Sequence, residues 1–118
     1  MRKGSYTFVR AHRRRWGLSQ RELALLLNFA DSSSVSRIER AKRVPTIETI
    51  IACCVIFELS MPELFPPMYD DVEETVLTAA KALYDELEEK TDKRSALKRS
   101  LLEDILARAT GRNQSKQP

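Results

Sequence analysis

A chain of 118 residues, 42% of them hydrophobic and 31% charged, has the size of one domain with an apolar core plus an extension, and two domains with separate cores are not expected. No apolar run is long enough to span a bilayer, and the basic stretch MRKGSYTFVR lacks the apolar segment of a secretory signal, so a cytoplasmic location is expected. The net charge of +3 conceals an asymmetry: residues 1–45 carry eleven Arg and Lys against three acids, a net of +8, and residues 46–118 carry a net of −5, which suits a nucleic-acid binder with a separate partner surface.

Residues 1–7 hold Arg2 and Lys3 beside Gly4 and Ser5 and read as a flexible arm. Phe8 to Trp16 reads as a first helix closed by Gly17, with Phe8, Val9 and one of His12 or Trp16 turned to the core. Arg10, Arg14 and Arg15 lie around it, as phosphate contacts or as a solvated face. Ser19 followed by Glu22 is a capping box, so a second helix starts at Gln20. Leu23, Ala24 and Leu27 share one face of it, and the smallness of Ala24 lets a crossing helix approach closely. Asn28, which tolerates a left-handed backbone, ends that helix. Asp31 can cap a third helix through the amide of Ser33 or Ser34; Val35 and Ile38 then turn inward, and Ser32, Ser33, Ser36, Arg37 and Arg40 face out.

These residues resemble the helix-turn-helix family of the phage Cro and repressor proteins, the Xre-like regulators. The match runs through the Leu-Ser-Gln-x-Glu-Leu-Ala opening at Leu18 to Ala24, the turn at Asn28, Val35 to Glu39, and Lys42 to Pro45. It continues through PTIETIIACCVIFELSMPELF and covers roughly residues 8 to 66. Two departures stand out: Ala41 replaces the usual glycine after the Ile-Glu pair, implying a modestly strained or differently closed loop, and the turn from Asn28 to Ser32 is one residue longer than the family minimum. The resemblance implies a structural ion pair between Arg13 and Glu39, and a phosphate contact for Gln20. It places Ser32, Ser33 and Ser36 near the tip of the recognition helix, with Arg37 one turn on. Arg37 is the strongest base reader, because its fork can bond guanine O6 and N7 together, whereas serine hydroxyls discriminate weakly. DNA shape and bound water would then carry part of the selection. Arg40, Lys42 and Arg43 are expected on phosphates at the far end of that helix.

Further along, Thr46 can cap a fourth helix whose apolar positions are Ile47, Ile50, Ile51, Cys54 and Val55, and the run from Ile50 to Phe57 reads as a buried helix. Ser60 and Glu63 form a second capping box around a short helix from Met61 to Phe65, which Pro66 and Pro67 stop. Residues 69–110 contain no Gly or Pro and carry two apolar stripes, one through Val72, Val76, Ala80, Leu83 and Leu87, the other through Leu97, Leu101, Leu102, Ile105 and Ala109. The seam breaks near Thr91 and Asp92. An antiparallel hairpin would bring Asp85, Glu86, Glu88 and Glu89 to Lys93, Arg94, Lys98 and Arg99, and one long bent helix is the alternative. The tail from Gly111 is expected to be disordered.

One histidine, two adjacent cysteines, no glycine-rich phosphate loop and no clustered ligands leave little for an enzyme; no catalytic residue, cofactor or metal is expected, and Cys53 and Cys54 read as small apolar side chains. The expectation is therefore an all-α chain, with a five-helix repressor-like helix-turn-helix domain over residues 1–67 and a helical association segment over 68–118. Its expected work is binding double-stranded DNA as a homodimer held through residues 69–109, as a transcriptional regulator on a bacterial or phage nucleoid and more readily a repressor than an activator. The alternative is an adaptor or antitoxin-like regulator whose C-terminal helices grip another protein.

Overall fold

The computed structural model describes residues 7–116, and over them the chain forms seven helices and no strand. Of the arm expected at residues 1–7, residues 1–6 lie outside the described residues. The chain divides into two compact units between Asp71 and Val72. Each has its own buried cluster, which corrects the expectation of a single core.

In the first unit, α1 (Val9–Arg15), α2 (Gln20–Leu26), α3 (Ser33–Glu39), α4 (Ile47–Phe57) and α5 (Met61–Leu64) surround a core of Val9, Leu23, Ala24, Val35, Ile38, Cys53, Phe57, Leu64 and Phe65. Three of these helices have only seven residues, too few to persist alone, so their ends and their packing must hold them. Ser19 Oγ accepts from the Glu22 amide at 3.0 Å while the Glu22 carboxylate accepts from the Ser19 amide at 2.8 Å. Thr46 Oγ1 accepts from the Thr49 amide at the head of α4. The Glu63 carboxylate accepts from both the amide and the hydroxyl of Ser60 ahead of α5.

The first four helices finish in one way. A left-handed residue follows the last turn, at Gly17, Asn28, Ala41 and Glu58, with φ between 54° and 74°. The next amide then reaches back five residues, from Leu18 to Arg13, Phe29 to Ala24, Lys42 to Arg37 and Leu59 to Cys54. This closure satisfies carbonyl groups that the helix itself leaves unpaired. Only Gly17 adopts the conformation without steric cost; a Cβ there would meet nothing within 4 Å, so its backbone angle alone favours glycine.

Several expectations about burial are corrected. Trp16 is 68% exposed and Phe8 is exposed, because Val9 and Arg13 take the inward positions of α1; His12 is half-buried, with its ring 6.0 Å from that of Phe57. Helix α4 is not buried all round: Thr49, Cys53 and Phe57 face the core, Ile50 and Cys54 flank it, and Ile47, Ile51 and Val55 face outward. Pro66 and Pro67 stop α5 and also open α6 (Pro66–Leu87), since first-turn amides have no partner within a helix.

The second unit is an antiparallel hairpin of the α6 residues beyond Asp71 with α7 (Lys93–Lys116), rather than one bent helix. Ala80, Leu87 and Leu102 are its buried cluster, with Tyr84, Ile105 and Leu106 packed against them. Tyr84 donates its hydroxyl to Glu103 at 3.1 Å, which raises the Tyr84 pKa. Asp92 caps α7, accepting from the amide of Ser95 at 3.0 Å and from its hydroxyl at 2.7 Å. Arg99, expected among the acids at the end of α6, donates to the carbonyl oxygens of Leu87 and Lys90, two groups freed where the helix stops. Helix α7 continues to Lys116, so the segment from Gly111 to Lys116 is helical and not disordered. A single glycine costs only about 1 kcal/mol, and a helix already nucleated over many residues extends through it.

Candidate nucleic-acid interface

Helices α2 and α3 cross where Ala24 is 3% exposed, with Leu23, Val35 and Ile38 buried around it. Beside that contact lies a polar bracket. Arg13 of α1 donates from Nε to Glu39 Oε2 at 2.6 Å and from Nη2 to Oε1 at 3.1 Å, and from Nη1 to the Leu18 carbonyl at 2.8 Å. Gln20, the first residue of α2, donates from Nε2 to Glu39 Oε1 at 3.1 Å. The Glu39 side chain is 1% exposed and that of Arg13 9%. One carboxylate at the end of α3 therefore holds α1 and α2 in fixed register with it, through charge-assisted bonds that are among the strongest available to side chains.

The outward edge of α3 is ordered by a relay. Asp31 Oδ1 accepts from both the amide and the hydroxyl of Ser33, and the Ser33 hydroxyl accepts from Arg37 Nη2 at 3.3 Å. These bonds hold the Asp31 carboxyl below its usual pKa, with a smaller contribution from the Arg37 charge. Ser32 is the N-cap of α3 and makes no side-chain capping bond; Ser32 and Ser36 are half-buried, whereas Ser33 and Arg37 are exposed. The turn between α2 and α3 runs from Leu27 to Ser32.

Of the residues expected on phosphate, Arg40 and Lys42 are exposed at the end of α3. Arg43 folds back: its Nη1 donates to Ser34 Oγ at 2.9 Å, and its guanidinium lies 5.8 Å from the centroid of the Phe29 ring. Gln20 is half-buried against Glu39. The structure thus brings Arg13, Gln20 and Glu39 into one cluster and Ser33 and Arg37 into another, with Ser34, Phe29 and Arg43 in a third.

Sequence reasoning gave the side chains of Ser34 and Phe29 no role at the site. Their partner is nine residues away from one and fourteen from the other, in a loop, and no local periodicity announces such a contact. For Asp31 the signal was present, since an acid two residues ahead of a helix start is a cap, but its indirect reach to Arg37 was not visible.

Chemically, the outer edge of α3 offers one guanidinium fork, a serine hydroxyl that can donate or accept, and a cluster of exposed cations past the helix end. Away from this edge, in the core, the Cys53 thiol is pushed up to about 12 by burial, which favours its protonated form. None of the described helices is long and apolar enough to cross a membrane.

The comparisons agree with this geometry. Neither a curated protein nor a solved structure matches the chain. A family model described as a helix-turn-helix domain matches residues 7–65, half of the chain, and spans α1 to α5 together with all three clusters. The chain belongs to the helix-turn-helix domain family, consistent with the Cro and repressor type of DNA-binding regulator that its residues resemble.

Proposed function

We propose that this protein is a sequence-specific binder of double-stranded DNA that regulates transcription on the nucleoid, more readily as a repressor, acting as a homodimer on a near-palindromic operator. The observation that carries the reading is the Arg13, Gln20 and Glu39 bracket, which fixes α3 while leaving Arg37 exposed on its outer edge. A recognition helix must present base-reading side chains at a fixed angle to the groove, and a rigid bracket behind it supports that requirement.

In this reading Arg37 reads a guanine edge with help from Ser33, while Ser32 and Ser36 make closer, weaker contacts. Gln20, Arg40, Lys42 and Arg43 meet phosphates, Gln20 with the amide hydrogen that Glu39 does not take. Arg43 is pre-positioned by Ser34 and Phe29, so less side-chain freedom is lost when it meets DNA. The DNA-binding unit ends at Asp71, inside α6, and the association segment follows it.

The homodimer is supported by what the hairpin leaves uncovered. Ala80, Leu87 and Leu102 are consumed by its own core, but Val76, Leu83, Leu97 and Leu101 remain exposed. A second hairpin would cover them as a four-helix arrangement. The same exposed residues favour the second reading, an adaptor or antitoxin-like regulator that grips another protein. Selection of bound sequences from a random DNA pool separates the two. Enrichment of a near-palindromic site supports the regulator; recovery of no preferred sequence, with salt-insensitive capture of another protein, supports the adaptor.

A further inference from the structure

Helix α4 carries an apolar stripe that nothing in the first unit covers. Ile47, Ile51 and Val55 recur every four residues and are 68%, 56% and 74% exposed, and Val44, just ahead of the helix, is 73% exposed. Every member is β-branched, hence stiff, and the opposite face of the helix already supplies Thr49, Cys53 and Phe57 to the core. The stripe is thus not an alternative packing of α4 within its own unit.

We infer that this stripe is a second self-association surface, on which α4 of one copy pairs antiparallel with α4 of another and sets the spacing between two DNA half-sites. The inference rests on the proposed regulator function and deepens it. Three observations identify a second copy as the occupant. Charge is the first: Lys42 and Arg43 outweigh the exposed Glu48 at the head of the stripe and Glu58 closes it, so antiparallel pairing across a two-fold axis sets the net basic end of each copy beside the acidic end of the other. The same pairing centres Ile51 on Ile51 and brings Ile47 to Val55, giving β-branched contacts throughout.

Position is the second observation. The stripe begins five residues after α3 ends, at the loop that carries the candidate phosphate contacts, so whatever covers it is held close to bound DNA. A near-palindromic site delivers an identical surface to that place.

Area is the third, and it decides the role. Four Val and Ile side chains present roughly 300–400 Å² on each copy. A stable interface needs about 800 Å² per partner. The stripe alone is therefore too small to hold two copies together in solution. It closes only where another contact already supplies proximity, on adjacent half-sites of DNA or between copies held by the hairpins, and there it favours one separation over others.

The test uses the full chain on DNA carrying one half-site, or two half-sites at a series of spacings. Ile51→Asp, an exposed position whose replacement should leave the melting curve unchanged, is expected to keep half-site affinity while losing about tenfold of the preference for the best spacing. Ile51→Cys reports the geometry directly, even where the aspartate variant is perturbed: with a thiol oxidant it should form a covalent dimer on two-half-site DNA, and the unmodified chain should not. A spacing preference that survives Ile51→Asp, with no cross-linking of Ile51→Cys, overturns this inference and leaves the functional reading standing. Failure of the unmodified chain to bind any DNA overturns both.

Discussion

Glu39 accepts hydrogen bonds from α1 and from α2 while standing at the end of α3, and its side chain is almost wholly withdrawn from water. Removing its charge leaves Arg13 enclosed without a counter-ion, which costs far more than losing an exposed pair. Glu39→Gln is expected to destabilise the first unit by about 2–3 kcal/mol, read as a lower melting temperature in the absence of DNA. An unchanged melting temperature with weakened DNA binding would instead put Glu39 at the interface. Ala41 makes the opposite case: its φ of 59° is a conformation that glycine adopts freely and alanine does not. Ala41→Gly should stabilise by about 1 kcal/mol and raise the melting temperature by about 4 °C; a decrease would mean that the alanine methyl packs usefully against something. The position was legible because the resemblance expected glycine there. Glu58, in the same conformation, was not legible, since nothing local distinguishes a glutamate that ends a helix from one inside it.

Among the helices, the ends were read more reliably than the faces. Ser19 with Glu22, Thr46, Ser60 with Glu63, and the break near Thr91 and Asp92 all work through contacts within three residues, so the chemistry is written locally. The buried face of α4 was misread: Ile47, Ile50, Ile51, Cys54 and Val55 recur at helical spacing, but the neighbouring Thr49, Cys53 and Phe57 take the core and leave Ile47, Ile51 and Val55 exposed. Length is similarly opaque in α7, where Gly111 marks no end. The capping carboxylates predict a pH response. Hydrogen bonds from Ser19, Ser60 and Ser95 hold Glu22, Glu63 and Asp92 below their ordinary values of 4.5, 4.5 and 3.8. Because the folded-state values are depressed, the unfolded chain takes up protons first as pH falls. The stabilisation these caps provide is fully present above about pH 5 and is lost progressively through and below the ordinary values. Thermal melts from pH 8 to pH 3 should show this loss at the acid end, and Asp92→Asn should remove the contribution from α7. A melting temperature in the variant that falls as steeply with acid as in the unmodified chain would contradict the assignment to Asp92.

The whole molecule joins a basic helix-turn-helix unit to a hairpin whose acids and bases balance, and each of the two apolar stripes of the hairpin segment is split between a buried and an exposed part. Leu87 is spent inside its own hairpin, whereas Leu83 and Leu101 stay exposed. Replacing Leu83 and Leu101 together by Glu should leave a folded chain that sediments as a monomer and binds DNA half-sites weakly, whereas a single charge at Leu87 should unfold the hairpin itself. An unmodified chain that is monomeric at micromolar concentration, with or without DNA, would remove the dimer. The central claim, that α3 reads DNA sequence, is tested most directly by measuring the affinity of the unmodified chain and of Arg37→Ala and Arg43→Ala for a selected site and for a shuffled one over a series of salt concentrations. The unmodified chain should prefer the selected site by about a thousandfold or more. Arg37→Ala should lose roughly 1–3 kcal/mol of that preference, and Arg43→Ala should weaken both DNAs alike and flatten the dependence of log K on log salt by about one unit. Equal affinity for the two DNAs, or a preference untouched by Arg37→Ala, would contradict it.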